Sequence, residues 1–188
     1  MSGLVVVLDS CVLYPAPLRD FLMHLAVLDI FKAQWTERIH AEWIRNLLAD
    51  RPDLTADRLD RTRQLMNRHA RDCVVDGYED LIDTLTLPDA NDRHVLAAAI
   101  YSKADVIVTF NLKDFPSNVL LGYKLKAQHP DDFLVSLIMN DPKSVWRAAG
   151  RHRLSLQNPP KTPEEYLSTL MRQNLPNTCE LLLKFLID

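Results

Sequence analysis

The apolar pattern of the chain alternates between unbroken β-branched runs and helical stripes. Leu4-Val5-Val6-Val7-Leu8 is continuously apolar, as a strand buried on both faces of a parallel sheet is. Val106-Ile107-Val108-Thr109-Phe110 repeats the signal. Between them the period lengthens. Phe21, Leu22, Leu25, Leu28 and Ile30 mark a helix over 18–31 opened by Pro15 and Pro17. Thr36 is an N-cap with Glu37 in the first turn, and Ile39, Trp43 and Leu47 share one face of the helix it starts, 37–48. Thr55 caps a further helix reaching His69, whose interleaved arginines and aspartates read as a solvated face. Asp72-Cys73-Val74-Val75 reads as a short strand ended by Gly77, and 78–85 as a short amphipathic helix.

The stretch from Leu87 to Pro116 organises the remainder. Asp89 is a natural N-cap and Asp92 falls at the N3 position of the same helix. Val95, Leu96, Ala98, Ala99 and Ile100 bury against a sheet, and the alanines allow close approach. A helix crossing before Val106–Phe110 makes that strand parallel to the first. A final strand is expected within 119–125, then a helix opened by Pro130 and running over 133–139. Asn158-Pro159-Pro160-Lys161-Thr162-Pro163 is the clearest linker, and 164–172 and 178–186 are short amphipathic helices split by Pro176. The fold class is α/β: an α/β/α sandwich around a mostly parallel sheet, with a C-terminal helical appendage. The domains are expected at 1–139 and 140–188.

Composition narrows the function. The 188 residues are 47% hydrophobic and carry a formal net charge of −3, so no global basic signature for nucleic acid or membrane exists. Cys11, Cys73 and Cys179 form no C-x-x-C pair, which suits a reducing, cytoplasmic setting. The run 4–8 is too short for a signal core, and no apolar run is long enough to span a membrane. One local exception stands out: 143–163 contains Lys143, Arg147, Arg151, Arg153 and Lys161 and no acid. It reads equally as a patch for nucleic-acid phosphates or an acidic partner segment and as a solvated helix and linker.

Acids fall at the tips of the elements. Asp9 directly follows the first buried strand, at the carboxyl end where open α/β sheets place ligands; its alternative is a cap for the next turn. Glu42, at the margin of a buried stripe, taken alone reads as a solvated helix residue. Capping alone explains Asp89 and Asp92, and turn chemistry explains Asn111 and Asp114. Brought together at one sheet edge, such carboxylates repel and stay ionised if a divalent cation neutralises them. All-oxygen ligands favour Mg²⁺ or Mn²⁺, which activate water against a phosphodiester. Competing chemistries lack their residues. Cys11 stands where a haloacid-dehalogenase-type phosphatase needs its second Asp, no glycine-rich turn serves a nucleotide, and the histidines show no ligand spacing.

Val6-Val7-Leu8-Asp9-Ser10, the helix with Glu42 followed by Arg45 and Leu47, Asp92-Arg93-His94-Val95-Leu96-Ala97-Ala98-Ala99, and Thr109-Phe110-Asn111-Leu112-Lys113-Asp114-Phe115 together resemble PIN-domain ribonucleases, and among them the VapC-type toxins of bacterial toxin–antitoxin systems. The resemblance covers roughly residues 4 to 138. It implies a metal-dependent endoribonuclease with Mg²⁺ or Mn²⁺ held by Asp9, Glu42 and Asp92. Asn111 or Asp114 fills the fourth position, where many members have Asp. Ser10, Thr109 and Asp89 are phosphate contacts or supports for the ligands. It also implies an RNA substrate, a cognate antitoxin that occludes the site, and a homodimer. A housekeeping PIN nuclease in RNA processing and a non-catalytic RNA- or protein-binding module of the same fold are the alternatives.

Overall fold

A computed structural model describes residues 3–186. The two apolar runs form the centre of a parallel sheet. Strand β1 (Val5–Leu8) pairs in register with the later strand Val106–Val108, Val6 opposite Val106 and Leu8 opposite Val108. Val6, Val7, Leu8, Ile107 and Val108 are fully buried, which is why neither strand alternates with polar residues. Two short strands flank them. Lys32–Gln34 is β2, and with Val106–Val108 as β3 and Lys126–Gln128 as β4 the order is β2-β1-β3-β4, parallel throughout.

Here the structure corrects three expectations. Residues 72–75 do not form a strand but touch the sheet through one parallel bridge, Val74 to Trp35. Residues 119–125 do not supply the last strand. Pro116 starts a helical turn over Ser117–Leu120, a 3-10 turn follows over Leu121–Tyr123, and the strand comes only after Lys124 reverses the chain in the left-handed region at φ 59°. The segment 30–34, given no strand from its sequence, contains β2.

Helices close both faces. In chain order the first six are α1 (Ser10–Leu13), α2 (Ala16–Val27), α3 (Glu37–Asp50), α4 (Ala56–His69), α5 (Glu79–Ile82) and α6 (Arg93–Tyr101). The turn Ser117–Leu120 is α7. The C-terminal helices are α8 (Pro130–Asn140), α9 (Pro142–Ser155), α10 (Pro163–Met171) and α11 (Pro176–Leu186). Local chemistry sets their starts: Thr36 accepts from Ile39 N at 3.1 Å, Thr55 from Arg58 N at 3.4 Å, and Thr162 with Glu165 forms a reciprocal capping box. The α2 stripe Phe21, Leu22 and Leu25 is core.

Helix α11 is fastened to α8 at a buried carboxylate. Asp131, 3% exposed in the first turn of α8, accepts from Thr178 Oγ1 at 2.6 Å, Thr178 N at 2.8 Å, and Asn177 Nδ2 and N at 2.9 and 3.0 Å. It thereby caps α11 from outside that helix, satisfying amides that the sequence around Pro176 leaves without a cap.

Candidate active site

The site is built at the carboxyl edge of β1 and β3. Asp9 extends the ladder, donating its N–H to Val108 O at 3.1 Å. Its carboxylate then turns over the start of α1, where Oδ1 accepts from Ser10 N at 2.6 Å. Oδ2 accepts from Thr109 Oγ1 at 2.7 Å and from Cys11 Sγ at 3.1 Å. A carboxylate 4% exposed survives there because donors from two strands' ends replace its water. Asp9 is therefore a cap for α1 as well as an acid at the sheet edge; both expectations meet in one side chain. Thr109, fully buried, also accepts from Asn111 N at 3.0 Å, so it touches Asp9 and the turn rather than any ligand in solvent. The Cys11 thiol is pushed up to about 12 by burial and by the Asp9 charge, which makes it an inert neutral donor.

Glu42 reaches the same edge from α3. Its Oε1 lies 2.9 Å from His94 Nε2 and 3.7 Å from Arg38 Nε. Burial works against its ionisation, yet His94, the Ser10 hydroxyl and Arg38 outweigh burial and hold the carboxyl below its usual range. Ser10 thus stands between Asp9 and Glu42, with its hydroxyl 3.4 Å from Asp9 Oδ1.

Asp92 is not at N3 of a capped helix, as its spacing from Asp89 implies. The chain first winds one 3-10 turn, Ala90–Asp92, whose start Asp89 caps by accepting from Asn91 N at 2.8 Å. Asp92 then precedes α6 and makes no side-chain capping bond. Its carboxyl is pushed up to about 6 by burial and by the charges of Asp9, Asp89 and Asp114, with His94 opposing them. Capping explains Asp89, which is exposed, and does not explain Asp92. Of the two residues offered for the fourth position, Asp114 is half-buried in the turn after β3 and lies within electrostatic reach of Asp92. The Asn111 side chain is exposed and makes no hydrogen bond among the described residues.

The acids thus divide into two neighbouring groups. Asp92 feels the charges of Asp9, Asp89 and Asp114, while Glu42 stands with His94 and Arg38. Among the described residues no three His, Cys, Asp or Glu side chains are close enough to enclose a metal ion. A groove of about 710 Å³ lined by Leu112, Phe115, Leu121 and Gln128 runs along β4 and contains none of these carboxylates.

His94, Arg38 and Cys11 escaped the sequence reading. The signal for His94 was present: an imidazole directly before the apolar run Val95–Ala99, buried to 1% exposure, requires a partner. That partner is far away in sequence.

Residues 130–184 match the family model described as VapC50 C-terminal domain, and residues 5–113 match the model described as PIN domain. A curated relative from Mycobacterium tuberculosis (strain ATCC 25618 / H37Rv), named "Putative ribonuclease VapC50", is 41% identical over 102 residues, which cover 52% of this chain and 57% of that protein. The chain therefore spans little more than half the length of that relative. No solved structure matches. No helix among the described residues is long and apolar enough to cross a membrane. A parallel four-strand sheet between helices, acids gathered at its carboxyl edge and a family match over more than half the chain place this protein in the PIN domain family.

Proposed function

We propose that this chain is a Mg²⁺- or Mn²⁺-dependent endoribonuclease acting as the toxin of a toxin–antitoxin pair. The observation that carries the reading is the acidic edge itself: Asp9 is buried at the end of β1 on donors from Ser10, Cys11 and Thr109, the Ser10 hydroxyl lies between Asp9 and Glu42, and the Asp92 carboxyl is raised there by burial and by Asp9, Asp89 and Asp114. Such repulsion is relieved by a cation shared among the carboxylates. The donors fit a hard divalent ion: they are oxygens, and Mg²⁺ keeps several waters while using one or two carboxylates rather than a protein cage. When bound, the cation supplies water activation and charge neutralisation at the leaving oxygen.

The remaining steps belong to the chain's own groups. Thr109 and Ser10 fix the Asp9 carboxylate before substrate arrives, so no reorganisation is needed there. His94 holds Oε1 of Glu42 at 2.9 Å and so orients that carboxylate as one of the residues that would hold the cation. Asp92, with Asp114 or Asn111, completes the acidic rim. In this reading residues 1–139 are the nuclease unit, residues 140–188 the extension, the molecule acts as a homodimer in the cytoplasm, and an antitoxin protein covers the rim to silence it.

The absence of a three-acid cluster among the described residues favours one other reading, a non-catalytic RNA-binding module of PIN fold. RNA cleavage by the parent with Mn²⁺, with EDTA, and by Asp9→Asn separates them. Cleavage by the parent with Mn²⁺ alone supports the nuclease. Cleavage indifferent to EDTA and to the substitution refutes the metal mechanism, and no cleavage of any RNA supports the module.

A further inference from the structure

The nuclease reading leaves the basic run of the extension unused. Helix α9 buries Val145, Ala148, Ala149 and His152, and the His152 ring meets Phe21 and His24 of α2. The other face carries Lys143, Arg147 and Arg151, all exposed. Four residues apart, they stand in a row at intervals of about 6 Å along the axis. Trp146, beside the row, is 45% exposed. None of the three cations enters an ion pair among the described residues. The Asp141 carboxyl at the helix start is held below its usual range by hydrogen bonds from Ser144 first, and then by Arg147 and Lys143. The other two cations of the run turn away: Arg153 is half-buried and donates from Nη1 to Lys161 O at 2.9 Å, and Lys161 lies in the linker.

We propose that this face of α9 binds single-stranded RNA, with Lys143, Arg147 and Arg151 on successive backbone phosphates and Trp146 as the platform on which a base stacks. RNA as the ligand rests on the nuclease reading; the surface itself does not. Like charges spaced along one helix face repel, and a polyanion converts that cost into attraction. An exposed indole among cations is the recurring composition of single-strand binding surfaces. A membrane surface is a poor match, because the apolar face of α9 is already spent on α2 and what faces outward is charged. An acidic peptide engages the cations but gives the flat ring no role.

The chain reports on itself. It has three tryptophans, and Trp35 and Trp43 are fully buried, so quenchable emission comes from Trp146. The full chain is titrated with a short oligouridylate in EDTA, which blocks the proposed cleavage. The expected result is saturable quenching, lost in Trp146→Phe. Read by anisotropy of a fluorescein-labelled oligouridylate, Trp146→Ala binds about 10-fold more weakly. The triple variant Lys143→Gln, Arg147→Gln, Arg151→Gln flattens the slope of log affinity against log salt by about 2, at roughly 0.7 per phosphate contact on a single strand. These side chains are exposed, and an unchanged circular dichroism melt verifies that each variant is folded.

Absent oligouridylate binding, or binding indifferent both to Trp146→Ala and to the triple variant, overturns the proposal. So does stripe-dependent binding of polyglutamate or phosphatidylserine vesicles without stripe-dependent binding of oligouridylate. If the parent cleaves no RNA with Mn²⁺ yet shows stripe-dependent binding, the nuclease reading fails and this site stands; the reverse pattern removes this site alone.

Discussion

Nε2 of His94 stands 2.9 Å from Oε1 of Glu42, tying the first turn of α6 to the middle of α3. His94 is 1% exposed and its Nδ1 has no partner among the described residues, so the proton is assigned to Nε2, facing the carboxylate. The imidazole thereby orients Glu42 as outer-shell partners orient metal ligands. Glutamine can place a donor near the same point and phenylalanine cannot. Mn²⁺ titration followed by electron paramagnetic resonance is expected to show His94→Gln within a few-fold of the parent and His94→Phe weaker by about 10- to 100-fold. Parent-like affinity in the phenylalanine variant would remove His94 from this role.

Asp92 makes a prediction in pH. Its carboxyl, raised to about 6 by burial and by Asp9, Asp89 and Asp114, binds its proton more tightly in the folded chain than in the unfolded one. The stability from that proton is fully present below the unfolded value of about 4 and is lost as pH rises through about 6. Asp92→Asn removes the loss. Because the side chain is partly exposed, solvent screening discounts the effect, and urea unfolding in EDTA near pH 8 is expected to show a gain of about 1 kcal/mol that vanishes below about pH 4. A loss of stability near pH 8 would mark Asp92 as a helix cap after all.

Much of this was legible in the sequence, and the illegible parts have physical causes. β1 and β3 were visible because strands buried on both faces must be apolar throughout. β2 and β4 were not: each reads Lys-Ala-Gln, and an edge strand with polar ends leaves no apolar run to find. Cys73-Val74-Val75 has the composition of a strand, but it pairs through one bridge only. Asp9 was legible from its place after β1. The real position of Asp92 was not, because a 3-10 turn shifts the helix start past it. The pairing of Glu42 with His94 depends on two helices meeting, which no local pattern records.

Thr109 is the hinge of the Asp9 anchor. Thr109→Val removes the 2.7 Å donor from Asp9 and the 3.0 Å acceptor from Asn111 N. Leaving those groups unmatched is expected to cost about 2 kcal/mol, read by urea unfolding, and to lower nuclease activity. Thr109→Ser keeps both bonds and is expected to lose less than about 1 kcal/mol. Equal stability of parent and valine variant would contradict the anchor.

Asp131 makes the matching prediction for the extension. Asp131→Ala strips Thr178 Oγ1, Thr178 N and Asn177 N of their acceptor. The expected cost is about 3 kcal/mol, since bonds to a charged acceptor are the strong ones. Limited proteolysis should then cut first near Pro176. Unchanged stability and protease resistance would show that α11 is held by apolar packing alone.

The central claim is that the acids of this sheet edge share one hard cation. Isothermal titration of Mn²⁺ into the parent, Asp9→Asn and Asp92→Asn tests it without recourse to an RNA. The account predicts saturable binding to the parent and its loss in both variants, each still folded by circular dichroism. Parent-like binding in both, or no binding to the parent, would contradict it.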